Sequence, residues 1–122
     1  MAMRENILLA KSIEFAVRIV NLYSILKGRG EYIMSKQLMR SGTSVGANIT
    51  EAFDGQSDAD FISKLSIALK ECKESRYWLM LLIRTNYINQ GEYDSIDKDA
   101  SEVNALLVSA IKTKKKNIGT RI

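Results

Sequence analysis

Histidine and proline are absent from this chain, and cysteine occurs once, as Cys72. Without histidine the sequence cannot form a Ser-His or Cys-His nucleophile pair or a histidine-containing zinc site, and one thiolate cannot form a zinc cage. A lone cysteine also cannot form a disulfide within the chain, which agrees with a reducing compartment. These absences exclude several common enzyme classes, and we expect a protein with no catalytic activity and no cofactor.

A long uncharged apolar run is missing as well, as is the basic, then apolar, then small-residue pattern of a signal peptide. We therefore expect a cytoplasmic protein that does not associate with a membrane. The formal net charge is +4 and the pI is about 9.2. This mild basic excess permits binding to a nucleic acid or another polyanion without requiring it.

The scarcity of helix breakers indicates an all-α chain. No proline and only seven glycines occur in 122 residues, of which 46% are hydrophobic. A chain of this length and composition predicts one domain, residues 1–122, with an ordinary apolar core.

A first amphipathic helix is predicted from about Glu5 to Lys27, before the turn Gly28-Arg29-Gly30. Its core positions recur at steps of three, four and seven, with Ser12 filling one step: Leu8, Phe15, Ile19, Leu22 and Leu26. A second stripe lies beside the first and makes the apolar face wider than one helix pair needs: Leu9, Ile13, Ala16, Val20 and Tyr23.

The segment SKQLMRSGTSVGANITEAFDGQ, residues 35–56, has the glycines and hydroxyls of a phosphate-binding loop, but its periodicity predicts a helix. An apolar seam has steps of four and three over about four turns: Leu38, Gly42, Val45, Ile49 and Ala52. A polar stripe runs beside it with the same spacing: Gln37, Ser41, Ser44, Asn48 and Glu51. The two glycines lie one turn apart, where they allow another helix to come close.

A third helix is predicted from about Asp58 to Tyr87 and a fourth from about Tyr93 to Lys115, followed by a basic, frayed tail over 112–122. The four helices with short links predict an antiparallel up-down-up-down four-helix bundle. The third helix has its own seam: Phe61, Leu65, Ala68, Cys72, Ser75, Leu79 and Leu82. Apolar residues also point away from this seam, where a monomeric bundle would carry charge, and they are candidates for an oligomer interface: Ile67, Tyr77, Met80 and Leu81.

Three segments of the chain carry a family resemblance: KSIEFAVRIVNLYSIL, SKQLMRSGTSVGANITEA and FISKLSIALKECKESRYWLMLL. They resemble the helices of the four-helix-bundle proteins named for intervening sequences in bacterial 23S ribosomal RNA genes. The resemblance implies a homo-oligomer, specifically a closed pentameric ring. In a related branch, the accessory proteins of diversity-generating retroelements, a basic pentamer engages nucleic acid and a reverse transcriptase. The partners implied here are therefore the chain itself, RNA or DNA, and a protein such as a reverse transcriptase.

Basic residues are the candidates for nucleic-acid contacts. Repeated around a ring, even a short basic tail forms a multivalent surface that raises avidity. The candidate residues are Lys112, Lys114, Lys115, Lys116 and Arg121 in the tail, with Lys36 and Arg40 in the second helix.

The polar stripe of the second helix has two interpretations. It is either a ligand or nucleic-acid surface, or a buried structural seam whose groups bond to Lys64, Glu71 or Ser75 of the third helix; we favour the seam. Glu71 is counted with that seam. Glu51, Glu71 and Glu74 also raise the question of a carboxylate metal site. Di-metal sites in bundles use histidine, which this chain lacks, so only an all-carboxylate magnesium or manganese site stays open, as the less favoured interpretation.

Two functions from different classes follow. The first is a non-enzymatic homo-oligomeric scaffold or accessory protein that binds RNA or DNA weakly and without strong sequence preference. The alternative is a module for protein interaction or self-assembly that has no nucleic-acid role.

Overall fold

The computed structural model describes residues 3–120, and the side chains of residues 7–119. It contains four helices: α1 (Met3–Gly28), α2 (Met34–Phe53), α3 (Asp58–Arg84) and α4 (Gln90–Thr120). No strand occurs in this part of the chain, and the all-α prediction is confirmed. The segment expected to fray, 112–122, is helical as far as Thr120.

Neighbouring helices contact each other in opposite residue order, so each pair is antiparallel. On α1 and α4, Lys11 pairs with Glu102 while Arg18 pairs with Asp99. The same reversal joins α2 to α3 and α3 to α4, through the pairs Arg40 with Glu74, Glu51 with Lys64, Arg76 with Asp97 and Lys114 with Asp58. The helices thus form an up-down-up-down bundle in which α1 and α3 stand at opposite corners.

The core is built from the seams that the spacing predicted. Every seam position named for α1 and α2 is buried, as is every one named for α3 except the half-buried Phe61. The buried positions of α4 are Ile96, Ala100, Val103, Leu107 and Ile111. Each of the four helices turns its row of buried residues toward a common axis, and together these rows form a continuous apolar interior.

Small residues bring α1 against the backbone of α2. A Cβ atom built on Gly42 would lie 2.8 Å from Ile19 Cγ1, and one on Gly46 would lie 3.4 Å from Ser12 Oγ. Ile19 is fully buried. Because the two glycines have no side chains, the side chains of α1 occupy the space beside them, as the glycine spacing predicted. The contact between the helices is much tighter at Gly42 than at Gly46.

The turns after α1 and α3 are built alike. Gly30, with a φ of 84°, and Asn86, with a φ of 66°, both adopt the left-handed conformation that commonly ends a helix. After α3, the Tyr87 N–H donates to Leu82 O at 2.9 Å and the Asn86 N–H donates to Ile83 O. This closure ends α3 at Arg84, earlier than the predicted Tyr87.

A buried carboxylate starts α2. Glu31 is 4% exposed, and its oxygens accept hydrogen bonds from the backbone N–H groups of Ile33 at 2.9 Å, Met34 at 2.7 Å and Ser35 at 2.6 Å. Burial on its own raises the pKa of Glu31, but these donors outweigh it and hold the pKa below its ordinary value. Since the side chain of the N-cap residue Ile33 forms no capping hydrogen bond, Glu31 accepts the hydrogen bonds of the free backbone N–H groups in the first turn of α2.

The start of α4 is capped and tied to α1. The Asn89 side chain accepts from the Glu92 N–H at 2.8 Å, and Glu92 Oε1 accepts from the Asn89 N–H at 2.9 Å, which is a capping box. Arg29 donates to both Glu92 oxygens and to Tyr87 O. The Arg29 guanidinium and the Asn89 N–H lower the pKa of Glu92 to about 2. The box explains why α4 begins at Gln90, before the predicted Tyr93.

We expect Gly42→Ala to destabilise the protein and Gly46→Ala to serve as its matched control. Both gain about 1 kcal/mol of intrinsic helix stability, but only the first forces a Cβ into the buried Ile19 side chain. Overpacking costs about 1–3 kcal/mol, so Gly42→Ala should be less stable than Gly46→Ala by that amount. Urea unfolding followed by circular dichroism measures the difference, and equal midpoints would contradict the packing argument.

Glu92→Gln should flatten the acid dependence of stability. Because the folded pKa of about 2 lies below the ordinary 4.5, the unfolded state binds more protons between these pH values. The stabilisation from Glu92 is therefore complete above about pH 4.5 and is lost as pH falls toward about 2. Melting temperatures across this range should fall less for Glu92→Gln than for the native protein.

The control for this experiment is Asp94→Asn, at an exposed carboxylate whose contact is with Gln90. Its melting temperatures should follow those of the native protein. Parallel curves for Glu92→Gln and the native protein would show that the Arg29–Glu92 contact does not stabilise the fold.

Candidate interaction surfaces on the outside of the bundle

The polar stripe of α2 meets α3 at one buried hydrogen bond. Ser75 Oγ donates to Ser41 Oγ at 2.9 Å, and both serines are fully buried. Lys64 Nζ lies 3.3 Å from Glu51 Oε1 across the same pair of helices. These two contacts agree with the structural interpretation of the stripe, in which its groups bond to α3.

The other members of the stripe are not buried, contrary to the prediction. Ser44 and Asn48 are half-buried and bond to carbonyls of α2 itself, at 2.7 Å and 2.9 Å. Gln37 and Glu51 are exposed. The stripe lies one residue away from the core seam, so only its member nearest α3 is enclosed and the others follow the rim of the α2–α3 interface.

Glu71 and Glu74 hold Arg40 and do not bond to the stripe. Arg40 Nη1 lies 3.3 Å from Glu71 Oε2, and Arg40 Nη2 contacts Glu74 Oε2. Arg40 is therefore already paired within the chain. Across the described residues, no group of three histidine, cysteine, aspartate or glutamate side chains is arranged to hold a metal ion.

Cys72 and Trp78 are enclosed by α3 and its neighbours. The Cys72 Sγ lies 3.3 Å from Ala100 O, and burial raises the pKa of its thiol to about 11, so it is held as the unreactive thiol. Trp78 is half-buried, packs edge-on against Tyr77 and buries its Nε1 without an acceptor among the described residues. Neither side chain is presented to a ligand.

Two helices have large apolar side chains on their outer faces. On α3, Ile67, Tyr77 and Met80, called here the α3 outer face, are between 39% and 54% exposed, as predicted, while Leu81 is half-buried. Exposed lysine residues lie between Ile67 and Tyr77. On α1, Ile13, Val17 and Val20 follow one another at steps of four and three and are exposed to a similar degree. These three α1 residues are called here the α1 outer face; Ile25 is also exposed, but it lines a groove against α4.

The other two helices have polar outer faces. The exposed residues of α2 include Lys36, Gln37, Thr50 and Glu51, and those of α4 include Lys98, Ser101, Glu102, Ser109 and Lys112. Since α1 and α3 stand at opposite corners, the bundle has two separate apolar outer faces with polar surfaces between them.

The basic end of α4 extends past its neighbours. Lys114 lies opposite Asp58, the first residue of α3, at 3.2 Å and also covers the Phe61 ring. The residues after Lys114 therefore project about one and a half turns beyond α3. Lys112, Lys115 and Lys116 are exposed, whereas the predicted candidate Arg121 lies outside the described residues.

Beside this projection is a cleft of about 630 Å³ between the α2–α3 link and α4. Its lining includes Phe53, Phe61, Ser57, Asp58 and Lys114. Because Asp58 is ion-paired to Lys114, the inner side of the basic end is already neutralised. The positive charge that remains faces outward, on Lys112, Lys115 and Lys116.

The structure does not bring the two predicted basic groups together. Lys36 lies in the first turn of α2, at the opposite end of the bundle from the end of α4. The 20 residues of α2 separate these two ends by about 30 Å. Lys36 is exposed, while Arg40, one turn further along, is paired with Glu71 and Glu74.

The turn between α1 and α2 is a surface that the sequence analysis missed. Tyr32 is 57% exposed and Ile33 is 79% exposed, the largest exposure among the big apolar side chains described. Two large apolar residues in a link that is only five residues long, just before a helix start, were the available signal. We name this surface the α1–α2 tip, residues 32 and 33.

Comparison with known proteins places the chain in a family. The sequence model described as 23S rRNA-intervening sequence protein matches residues 4–109. A crystal structure of a protein of unknown function from the S23 ribosomal protein family of Bacteroides thetaiotaomicron is 59% identical, covers 90% of this chain and 99% of its own, and superposes with a TM-score of 0.89. No functionally curated protein matches the chain.

None of the described helices has the length and apolar character needed to cross a bilayer.

The family match agrees with the resemblance drawn from the three helical segments. The match covers all of α2 and α3 and most of α1 and α4. The chain therefore belongs to the 23S rRNA-intervening sequence protein family.

Proposed function

We propose that the protein is a non-enzymatic homo-oligomeric scaffold whose copies associate through the outer faces of α1 and α3 and which binds RNA or DNA. The observation that carries the proposal is the exposure of two apolar faces on helices that also bury a full seam inside the bundle. Exposed apolar side chains that cluster on one face are typical of protein interfaces.

The positions of the two faces favour contact between unlike faces of successive copies. The faces stand at opposite corners, so one partner cannot cover both. If the α1 outer face of one copy packs on the α3 outer face of the next, every copy is covered on both sides once a ring closes. A pentamer, the ring that the family resemblance implies, satisfies this requirement.

A ring also supports nucleic-acid binding. Cyclic symmetry gives every copy the same orientation to the ring axis, so the projecting ends of α4 gather on one side of the ring. The exposed Lys112, Lys115 and Lys116 of each copy then form one multivalent basic surface. Contacts of this kind read phosphates and not sequence, so the affinity is salt-sensitive and sequence-tolerant.

The alternative is a scaffold that docks another protein and ignores nucleic acid. The same two outer faces support it, because an apolar helix face is also a docking surface for a partner helix. The two functions differ in their dependence on the α4 lysines and on salt.

A single charged substitution on either face should prevent self-association, and mixing the two variants should restore association. Val17→Glu places a charge on the α1 outer face, and Tyr77→Glu places one on the α3 outer face. Both side chains are 54% exposed, so the fold tolerates the charge. Each variant alone should be monomeric by light scattering. An equimolar mixture should form a dimer, because one intact face of each kind remains.

Ala47→Glu, at an exposed position on the polar face of α2, is the matched control and should remain oligomeric. Circular dichroism should show all three variants folded. Dimers formed by either face variant alone would mean that like faces pair, and a monomeric native protein would overturn the proposed assembly.

The triple variant Lys112→Gln, Lys115→Gln and Lys116→Gln should bind RNA and DNA more weakly. Lys114 is left in place because it packs on Phe61 and Asp58. Fluorescence anisotropy at low salt should show binding by the native protein that falls steeply as salt rises, with a shallower salt slope for the variant. Lys98→Gln, on the outer face of α4, is the control and should change little.

A further inference from the structure

We infer that the α1–α2 tip stacks unpaired bases, so that the protein holds single-stranded nucleic acid at the end of the bundle opposite the α4 lysines. This inference rests on the proposed nucleic-acid function and adds a second contact to it. Its basis is Tyr32, which is 57% exposed on a turn fixed at both sides, with the exposed Lys36 four residues further along the chain.

The backbone around the tip is well fixed. Gly30 closes the end of α1 in the left-handed conformation, with the Glu31 N–H donating to Leu26 O at 2.9 Å. On the other side, the Glu31 carboxylate holds the N–H groups of Ile33, Met34 and Ser35. Tyr32 is therefore presented from a rigid turn, and less entropy is lost when a base stacks on it.

The charges around the tip fit a phosphate backbone. Lys36 lies in the first turn of α2, four residues after Tyr32. Arg84, the last residue of α3, is exposed at the same end of the bundle, where it lines a groove with Gln90 and Tyr93 of α4. Neither Lys36 nor Arg84 forms an ion pair within the described residues.

Two carboxylates at this end are already engaged. Glu31 is buried in the cap of α2, and Glu92 belongs to the capping box of α4. Asp94 is exposed and accepts from Gln90 on α4. Lys36 therefore remains available to an incoming anion, and an exposed aromatic ring combined with a basic side chain is an arrangement that binds single strands.

A membrane surface fits the tip less well. Interfacial anchors bury a whole apolar helix face below the headgroups, whereas only Ile33 and Tyr32 project here, and α2 behind them presents Lys36 and Gln37. A single projecting ring with an exposed lysine in the helix that follows suits stacking on a base. Stacking requires a base face that is free, which duplexes do not offer along their length.

Tyr32→Ala tests the inference, with Tyr32→Phe as the matched control that keeps the ring. The probes are labelled oligouridine, labelled oligothymidine and a DNA duplex of equal length, measured by fluorescence anisotropy at low salt. The alanine variant should bind both single strands roughly 5- to 100-fold more weakly, while its duplex affinity stays unchanged. The phenylalanine variant should match the native protein on all three probes.

The outcomes separate this inference from the proposed function. If the native protein binds none of the probes, the proposed function fails and the inference falls with it. If the native protein binds but Tyr32→Ala keeps its full single-strand affinity, only the inference is wrong. Equal losses on single strands and duplex would also overturn it.

Discussion

The contact between Ile19 and the backbone of α2 at Gly42 sets where α1 can lie. Because no side chain separates them, α1 rests directly on its neighbour, and Ser12 meets Gly46 one turn further along. The remaining seams are positioned by directional polar contacts, such as Ser41 with Ser75. With α1 held this close by one side, Val17 and its neighbours on the other side are left facing outward.

The sequence predicted the interior well and the helix ends less well, for a physical reason. Steps of three and four identify buried positions because burial repeats with the helix, and seam residues such as Phe15, Val45 and Leu79 are fully enclosed. The ends depend on single residues. Asn86 stops α3 and Asn89 starts α4 through geometry that leaves no periodic signal.

Surface placement was predictable only in part. The outward residues of α3 broke the expected polar pattern and could be recognised, whereas Gln37 and Glu51 shared the spacing of Ser41 but lie at the rim of the interface. Glu31 caps α2 through near neighbours in the sequence, the N–H groups of residues 33–35, but an isolated glutamate before a helix gives no periodic signal that it is buried. The Arg29–Glu92 contact exists only once distant segments meet.

Trp78 gives the molecule an internal optical reporter. It is the single tryptophan of the chain, and its ring packs at 5.1 Å from that of Tyr77, which belongs to the α3 outer face. Indole emission responds to the polarity around the ring. A copy that gains or loses a neighbour at this face should therefore shift its intrinsic fluorescence, so that association can be followed on the unlabelled protein at high dilution.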